Sequence, residues 1–381
     1  MGASQTADVV IIGGGFAGAA AAYHLTRGGV GRVLLLEQED LPGRHSSGRN
    51  AGIVRHLIAK PDHLSLALEG LRFMEHPPDD FPAGRYFERT GAVAMGGAGM
   101  EAELRAAVDA ARARGSGADW LTAKEVERLV PATAGGTFVG GAYADDEGVA
   151  DIAALLDAFL RAARARGLRV QGRSRVIAID ARGGRVTGVR TDEGTVSTPV
   201  VVNAAGAWAA EVGRRAGAWP VPLRSLKRHM MVTAGIPWVN RSWPPVWDLT
   251  HEVYFRPEPP GLLISPCDAF PSEPPGDTPD AEALDLLAEK VSRCFPRLRD
   301  ISVASVIAGL RTFSPDGNMV LGEDPGLQGF FWCAGFGGNG MTLSPALGRI
   351  VAESVFGQPP PAAHAARRFM PSSPAACSPC R

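Results

Sequence analysis

The residues with the clearest chemical purpose are three glycines and one acid near the N-terminus. Gly13, Gly15 and Gly18 follow an apolar run and give the spacing G-x-G-x-x-G. Glycines at this spacing let a pyrophosphate approach the backbone N–H groups at the start of a helix. Glu37 follows at about 20 residues, where a dinucleotide fold places an acid that accepts hydrogen bonds from ribose hydroxyls. Together these four residues predict a dinucleotide site.

The segments around these residues have the order that such a site needs. The pattern predicts a strand from Val9 to Ile12, a helix from Ala17 to Arg27, and a second strand, RVLLLEQ, that ends in Glu37. The helix N-terminus would face the glycine turn and stabilise a phosphate. A glycine-rich turn in another kind of α/β protein remains the alternative, and this unit alone does not distinguish FAD from NAD.

Two further glycine-rich segments favour FAD. Residues 42–56, PGRHSSGRNAGIVRH, are too irregular for a long helix and suit a loop that follows a long cofactor. Near the C-terminus, a predicted strand from Phe330 to Ala334 leads into a glycine loop at residues 335–340, and a helix is predicted from about Thr342. No strand with a terminal acid follows this loop, so we interpret it as a backbone cradle. Its helix N-terminus would stabilise negative charge on a reduced flavin.

The composition is that of an ordinary globular protein and limits the partners. The chain has 381 residues, 45% of them hydrophobic and 21% charged, enough for two domains or one large intertwined unit. Its net charge of -1 gives no reason to expect nucleic acid or an anionic membrane surface as a partner. No apolar run reaches the ~18 residues of a membrane span, and the N-terminus lacks signal-peptide features. We therefore expect no integral membrane segment and a cytoplasmic location.

The five cysteines lie too far apart for a disulfide framework in a chain of this length. Cys377 and Cys380 form a C-x-x-C pair, which could be a redox pair or half of a metal site. No second such pair and no nearby histidine pair completes a tetrahedral set, so we predict no metal site. From about Pro359 the sequence is rich in proline, and we expect a disordered end without a catalytic role.

The order of these motifs resembles that of the FAD-dependent D-amino-acid oxidase superfamily, in the branch of glycine oxidase, sarcosine oxidase and D-amino-acid dehydrogenases. Besides the glycine loops, the resemblance rests on SSGRNAG at residues 46–52, VVVNAAGAWA at 200–209 and AGLRTFSPDGNMVLG at 308–322. It covers the chain from Asp8 to about Gly357, and the middle and C-terminal segments look most similar to D-arginine dehydrogenases. The resemblance implies an α/β fold, α+β overall. A Rossmann-like, GR2-type FAD-binding domain would be interleaved with an antiparallel-sheet substrate domain.

Domain boundaries follow from this interleaving. We expect an FAD-binding domain made of residues 1–84, 150–219 and 307–357, a substrate domain made of residues 85–149 and 220–306, and a Pro-rich tail at residues 358–381. The substrate would bind where the two domains meet.

The resemblance also implies a set of cofactor-binding positions, motif by motif. They are Gly13, Gly15, Phe16, Ala17 and Gly18 in the first turn, Glu37 and Gln38 after the second strand, Ser46, Ser47, Arg49, Asn50, Ala51 and Gly52 in the following loop, Val176, Ala205, Gly206 and Trp208 in the middle of the chain, and Gly309, Arg311, Phe336, Gly337, Gly338, Asn339, Gly340, Met341 and Thr342 near the C-terminus. Sarcosine oxidases anchor FAD through a cysteine near the position of Gly309. This sequence has no cysteine there, so we expect non-covalent FAD.

Four residues are expected to meet the substrate. Arg311 matches the family's carboxylate-binding arginine, and its planar guanidinium suits a carboxylate better than a lysine would. Tyr254 and Arg228 match two further carboxylate contacts. A backbone carbonyl of the glycine loop, for which Gly338 stands, would accept a hydrogen bond from the amine. A structural arginine and a core tyrosine remain the alternatives for these side chains.

The implied reaction is the oxidation of the Cα–N bond of a small amino acid, either a D-amino acid or an N-alkyl glycine. Hydride transfer to flavin N5 gives an imino acid, which hydrolyses to a 2-oxo acid. The electron acceptor would be O2, a quinone or another molecule. Two alternatives stay open: a FAD-dependent 2-hydroxy-acid oxidoreductase, and an FAD-bearing subunit of a multi-component dehydrogenase.

Departures from the family bear on the acceptor and the substrate. The strand GLLISP lacks the lysine that assists oxygen in some of these oxidases, which favours a dehydrogenase. The acid that receives a guanidinium in D-arginine dehydrogenases is replaced by Gly91 and Ala92, and Ile53 in the facing loop is apolar. We therefore expect neutral or small side chains to be preferred over those of D-arginine and D-lysine.

Overall fold

The computed structural model describes residues 5–57 and 60–370. Its α-helices are α1 (Phe16–Arg27), α2 (Pro61–Glu75), α3 (Glu101–Arg112), α4 (Ala123–Leu129), α5 (Ile152–Arg164), α6 (Ala209–Ala216), α7 (Glu282–Cys294) and α8 (Gly340–Val355). Its strands are β1 (Gln5–Thr6), β2 (Val9–Ile12), β3 (Val33–Leu36), β4 (Ile53–Val54), β5 (Phe87–Glu88), β6 (Ala92–Gly96), β7 (Asp119–Thr122), β8 (Gly140–Ala144), β9 (Gly148–Ala150), β10 (Arg169–Gln171), β11 (Val176–Arg182), β12 (Arg185–Thr191), β13 (Thr195–Ser197), β14 (Val201–Asn203), β15 (Arg224–Thr233), β16 (Val246–Asp248), β17 (Val253–Glu258), β18 (Gly261–Ser265), β19 (Phe270–Pro271), β20 (Val303–Phe313), β21 (Val320–Glu323) and β22 (Phe330–Ala334).

A six-stranded sheet carries the first glycine turn. Its strand order is β10-β3-β2-β14-β22-β21, and every pair is parallel except β21 with β22. Val9 and Ile11 of β2 face a core that includes α1, α5 and α8, whereas Val10 and Ile12 face a second core that includes α6. Because side chains alternate along a strand, this burial on both faces explains the continuous apolar runs of β2 and β3.

A nine-stranded sheet forms the second large layer. Its order is β19-β15-β18-β17-β16-β6-β8-β7, and β20 pairs with β15 beside this path. One face of it packs against α4 and α7, in a core that includes Val246, Phe255 and Ile264. The strand β20 ends at Phe313, and the next strand, β21, belongs to the six-stranded sheet. The chain thus passes directly from one sheet to the other beside Arg311.

The α/β architecture expected from the sequence is confirmed, and the predicted elements near the glycine turns are present with small shifts. The first helix begins one residue early, at Phe16, and the last helix begins at Gly340. The helix α5 begins at Ile152, where the Asp151 side chain caps it by accepting a hydrogen bond from Ala154 N at 2.9 Å. The strands β11, β12 and β13 form a separate four-stranded sheet with β1. The predicted domain boundaries stay a prediction.

The expectation of a disordered end from Pro359 is wrong as far as Met370. Leu321 N donates to His364 O at 2.8 Å, and Trp219 Nε1 donates to Phe369 O at 3.2 Å. Arg368 is buried and donates to Asp316 Oδ2 at 2.7 Å. A few specific contacts therefore hold a proline-rich segment against the body of the protein. The C-x-x-C pair lies outside the described residues.

The described helices include no candidate for a membrane span. None of them combines the length and the apolar composition that a transmembrane helix requires.

Candidate active site

The first glycine turn has the close packing that a phosphate-binding turn needs. Gly13 has a positive φ of 102°, a backbone conformation that favours glycine. A Cβ on Gly18 would lie 1.9 Å from Gly13 O, so only glycine lets α1 pack this closely on the turn. Phe16 N, at the start of α1, donates to Ser47 Oγ at 3.0 Å. The turn and the following loop therefore meet at the helix N-terminus, as the sequence predicts.

Glu37 lies directly after β3, at the carboxyl edge of the six-stranded sheet. Its Oε2 accepts from Gly14 N at 2.8 Å, and its Oε1 accepts from Glu39 N at 3.0 Å. The side chain is buried but lines the same cleft as the glycine turn. These two backbone hydrogen bonds fix the carboxylate where a dinucleotide fold places its ribose acceptor.

The second glycine loop lies against Arg311. Gly337 has a positive φ of 56°, and its N–H donates to Thr312 O at 2.8 Å. A Cβ on Gly338 would lie 3.0 Å from both Cζ and Nη1 of Arg311, so the guanidinium packs on the bare backbone of this loop. The loop ends at the N-terminus of α8. The second glycine loop is thus in contact with Arg311, the candidate for binding the substrate carboxylate.

A single large cleft joins the two glycine loops. It encloses about 1800 Å³ when the open space at its mouth is included. Of the predicted cofactor-binding residues, those that line it are Gly13, Gly15, Phe16, Ala17, Glu37, Gln38, Ser46, Ser47, Arg49, Asn50, Ala51, Val176, Ala205, Gly206, Trp208, Gly309, Arg311, Phe336, Gly337, Gly338, Asn339, Gly340, Met341 and Thr342. The glycine turn, the acid, the loop and the second cradle therefore fit an extended dinucleotide such as FAD.

Two predicted cofactor residues, Gly18 and Gly52, do not line the cleft. Gly18 serves the packing of α1 on the turn. Gly52 has a positive φ of 70°, and a Cβ there would lie 2.8 Å from Ala150 O. Both glycines are needed for close backbone approach, so their place is structural.

Strand register brings the substrate residues to one face of the nine-stranded sheet. In the β15–β20 ladder, Arg228 is opposite Gly309 and Arg311 is opposite Leu226, so the two arginines are diagonal neighbours. Tyr254 of β17 is opposite Trp247 of β16. The opposite face carries the apolar core against α4 and α7. The three candidate side chains and the backbone of Gly338 line the cleft.

This group of side chains has buried polar atoms that lack partners. Nη1 of Arg228 and Oη of Tyr254 are buried, and neither has a hydrogen-bond partner among the described residues. Arg228 Nε donates to Asp268 O at 2.5 Å, which fixes the guanidinium. Burial, and then the charge of Arg228, lowers the pKa of Arg311. Such free donors beside a lowered arginine pKa are typical of a site that receives an anion.

Arg55 and Trp247 are cleft residues that sequence reasoning missed. The Arg55 guanidinium lies 3.6 Å from the centre of a Trp247 ring, and this ring contacts Tyr254 with 4.7 Å between ring centres. The available signal was the arginine at the end of GIVR, in a loop already assigned to the cofactor. Its partner Trp247 comes from a distant strand, which a local pattern does not reveal.

His229 and His56 lie near this region but serve other contacts. His229 Nδ1 is 2.7 Å from Asp268 Oδ2, and its Nε2 accepts from Asp280 N at 2.9 Å. His56 Nε2 is 2.9 Å from Asp146 Oδ1. Neither histidine lines the cleft, so neither is placed to act on a substrate.

One group of side chains in the described part of the chain has metal-like spacing. Ligand atoms of Asp248, His251 and Cys294 lie within 4.8 Å of one another. These groups already have partners, because His251 Nδ1 is 2.8 Å from Asp248 Oδ2 and the Cys294 thiol donates to Lys290 O at 3.1 Å. Burial raises the pKa of Cys294 to about 12, which disfavours the thiolate that a metal would bind. The absence of a metal stays a prediction.

Comparison with known proteins agrees with this geometry. The chain is 30% identical over 377 residues to the mitochondrial sarcosine dehydrogenase of Mus musculus. The matched region covers 93% of this chain and 40% of that protein. It is 28% identical over 362 residues to a formaldehyde-forming 4-methylaminobutanoate oxidase of Paenarthrobacter nicotinovorans, over 92% and 44% of the two chains. The chain therefore spans about two fifths of the length of these curated relatives.

The fold is similar to that of L-proline dehydrogenase from P. horikoshii, with a TM-score of 0.85 and 22% identity over 96% of this chain and 98% of that chain. The model of one protein family, described as FAD dependent oxidoreductase (DAO), matches residues 8–354. With the glycine turn, Glu37 and the second cradle lining one cleft, this match over nearly the whole chain identifies FAD as the cofactor and places the chain in the DAO family of FAD-dependent oxidoreductases.

Proposed function

We propose that this chain oxidises the carbon–nitrogen bond of an amine that also carries a carboxylate, with FAD as the primary oxidant. The observation that carries the proposal is the contact between Arg311 and the Gly338 backbone, within the cleft that holds the dinucleotide turn. Relatives whose names give sarcosine and 4-methylaminobutanoate as substrates support the same class, because both compounds are methylated amino acids. The substrate class is therefore an amino acid or an N-alkyl amino acid.

The residues of this chain would bind and orient the substrate. Arg311 and Arg228 supply guanidinium donors, and Tyr254 supplies a hydroxyl, so three side chains converge on one carboxylate. Backbone carbonyls of the loop at residues 337–340 are acceptors for the amine. When bound, FAD would supply the acceptor for the hydride that leaves the carbon next to nitrogen. Fixing the carboxylate and the amine together aligns that carbon and lowers the entropic part of the barrier.

No side chain of the described cleft has to act as a base in this scheme. The amine loses its proton to solvent, the C–H bond gives up a hydride, and the C=N bond that forms is hydrolysed by water. Arg311 and Arg228 both present guanidinium groups, which carry positive charge, to the cleft. Their charges also favour negative charge nearby, including that of a reduced flavin.

We propose that the FAD is bound without a covalent link. Gly309 occupies the place where the resembling sarcosine oxidases carry an anchoring cysteine, and it packs against Arg49, with 3.3 Å between its Cβ position and Arg49 Cβ. Cys333 lines the cleft, but burial raises the pKa of its thiol to about 12. A protonated thiol is a poor nucleophile for attachment.

Product analysis tests the proposed reaction. The FAD-loaded protein is given sarcosine and a panel of D- and L-amino acids, with an artificial electron acceptor. For each pair of electrons passed to the acceptor, the proposal predicts either a 2-oxo acid with an equal amount of ammonia or alkylamine, or formaldehyde with an equal amount of the demethylated amino acid. Oxidation of 2-hydroxy acids without any turnover of amines would instead support the hydroxy-acid alternative. Reduction by neither class would support a non-catalytic FAD-bearing subunit.

A further inference from the structure

Arg55 is a cleft arginine that the proposed carboxylate-binding group does not use. It follows β4 and lines both the main cleft and a side pocket of about 280 Å³, open space included. Its guanidinium lies over Trp247 at 3.6 Å from the ring centre. Its Nη1 is buried and has no hydrogen-bond partner among the described residues. A buried guanidinium with a free donor is costly unless an anion meets it.

The acid that faces Arg55 does not satisfy it. Glu147 lines the side pocket, but its Oε1 accepts from His56 N at 2.7 Å and Leu57 N at 2.6 Å. The two side chains do not approach within the 4.0 Å of an ion pair. Burial lowers the pKa of Arg55 to about 10, against the opposing charge of Glu147, so the guanidinium is still charged at neutral pH. Arg55 therefore keeps a buried donor that Glu147 does not meet.

The position of Arg55 is set by Trp247 and by the side pocket. Trp247 of β16 is opposite Tyr254 of β17 on one side and Ala94 of β6 on the other. Arg55 stacks on Trp247 and lines the side pocket, whose walls include Ala92. The Arg55 guanidinium is therefore held at the junction of the main cleft and the side pocket.

We propose that Arg55 is a second anion-binding position, and that the preferred substrate is an amino acid with a second acidic group. This inference rests on the proposed function, which assigns the first carboxylate to Arg311, Arg228 and Tyr254. The second group would be a carboxylate on the side chain or on the nitrogen substituent. The Arg55 guanidinium that would bind this second group is held by Trp247, so the guanidinium needs little reorganisation on binding.

Binding of two unreactive ligands of equal shape tests the second position. Glutarate carries two carboxylates, and glutaramate carries one carboxylate and one amide. Each is titrated into the FAD-loaded protein while the flavin absorption is recorded. We expect glutarate to bind about 10- to 100-fold more tightly than glutaramate, as for a hydrogen bond to a charged group. In Arg55→Met this preference should disappear while glutaramate binding is retained, and Arg55→Lys should keep part of it.

Arg190→Met serves as the matched control, because Arg190 is exposed and pairs with Asp180 in the four-stranded sheet. It should leave the affinities for glutarate and glutaramate unchanged.

Flavin reduction by D-glutamate and D-glutamine gives a second measurement. Wild type should show a lower KM for D-glutamate than for D-glutamine, and Arg55→Met should remove the difference.

Three outcomes would overturn the second position. They are equal affinities of wild type for glutarate and glutaramate, an equal loss of both ligands in Arg55→Met, and a glutarate preference that survives in this variant. The first needs no variant and so stands even if Arg55→Met fails to fold. Failure of the proposed function is distinguishable, because neither ligand would then bind and Arg311→Met would change nothing.

Discussion

Arg311 lies near the end of β20, the last strand before the chain passes from the nine-stranded sheet to the six-stranded sheet. Its strand, β20, pairs with β15, and its guanidinium packs on the backbone of Gly338. A side chain at Gly338 would occupy the space of the guanidinium, so these two residues require each other. The planar group can offer two parallel donors to a carboxylate, which a lysine ammonium does not match.

Substitution of Arg311 should therefore separate substrate binding from cofactor binding. Arg311→Lys keeps the charge but loses the planar pair of donors, and Arg311→Met loses both. We expect kcat/KM for the best amine to fall about 100-fold or more in Arg311→Met and by less in Arg311→Lys. The flavin absorption spectrum should stay intact, and Arg190→Met should behave as wild type. Unchanged turnover in Arg311→Met would remove Arg311 from the site.

At the scale of elements, an ion pair between the buried Arg368 and the partly exposed Asp316 connects the C-terminal segment to the turn between β20 and β21. Arg368 Nε donates to Asp316 Oδ2 at 2.7 Å, and Ser314 Oγ donates to Asp316 Oδ1 at 2.7 Å. Burial raises the pKa of Asp316, but the hydrogen bonds from Arg368 and Ser314 outweigh it and lower the pKa to about 2. The folded state thus favours the ionised carboxylate.

This lowered pKa gives a prediction about pH and stability. The folded pKa lies below the value of 3.8 for a free side chain, so the stabilisation is full above about pH 4 and is lost as pH falls towards 2. With allowance for solvent screening, Asp316→Asn should lower the free energy of unfolding by about 1 kcal/mol at pH 7. Urea unfolding at pH 7, 5 and 3.5 should show the difference shrinking at the lowest pH. A difference that is constant with pH would contradict the ion-pair account.

Local patterns were sufficient for some elements and not for others. The strand β2, the turn and α1 follow from adjacent residues, because burial on both sheet faces and the glycine spacing leave few alternatives. Arg55 was missed because its stacking partner comes from β16, far along the chain. The C-terminal segment was misjudged because its order comes from Arg368 and Phe369 meeting distant residues. Long-range contacts, rather than composition, decided both cases.

At the scale of the whole molecule, charge is distributed unevenly. The chain has a net charge of -1, yet seven arginines and two carboxylates line the cleft. The arginines are Arg44, Arg49, Arg55, Arg175, Arg215, Arg228 and Arg311, and the carboxylates are Glu37 and Glu211. A cleft lined by one sign of charge attracts ligands of the opposite sign. Anionic cofactor and substrate groups are therefore favoured over cationic ones.

Amino acids with cationic side chains should consequently react slowly. We expect D-methionine to reduce the flavin faster than D-lysine, which has a similar length, and faster than D-arginine. Glu88 and Glu252 could offer a carboxylate to a guanidinium, but they are 64% and 71% exposed and do not line the cleft. Stopped-flow reduction with the three amino acids measures the order. D-arginine reacting fastest would contradict this expectation.

The mode of cofactor attachment is a second property of the whole chain. Because Gly309 stands at the anchoring position and the Cys333 thiol is held protonated by burial, precipitation with acid should release all the flavin into the supernatant. One FAD per chain should be recovered, since one complete strand–turn–helix–strand unit with its acid is present. Flavin that stays with the washed, denatured protein would show a covalent link.

Anaerobic mixing of the FAD-loaded protein with single substrates tests the central claim most directly. In one vessel the protein is mixed with an amino acid or N-methyl amino acid, and in a second vessel it is mixed with the 2-hydroxy acid of the same carbon skeleton. The account predicts that the oxidised flavin absorption bleaches in the first vessel in one turnover and persists in the second, and that Arg311→Met abolishes the bleaching. Bleaching by the hydroxy acid alone, or by no compound of either class, would contradict it.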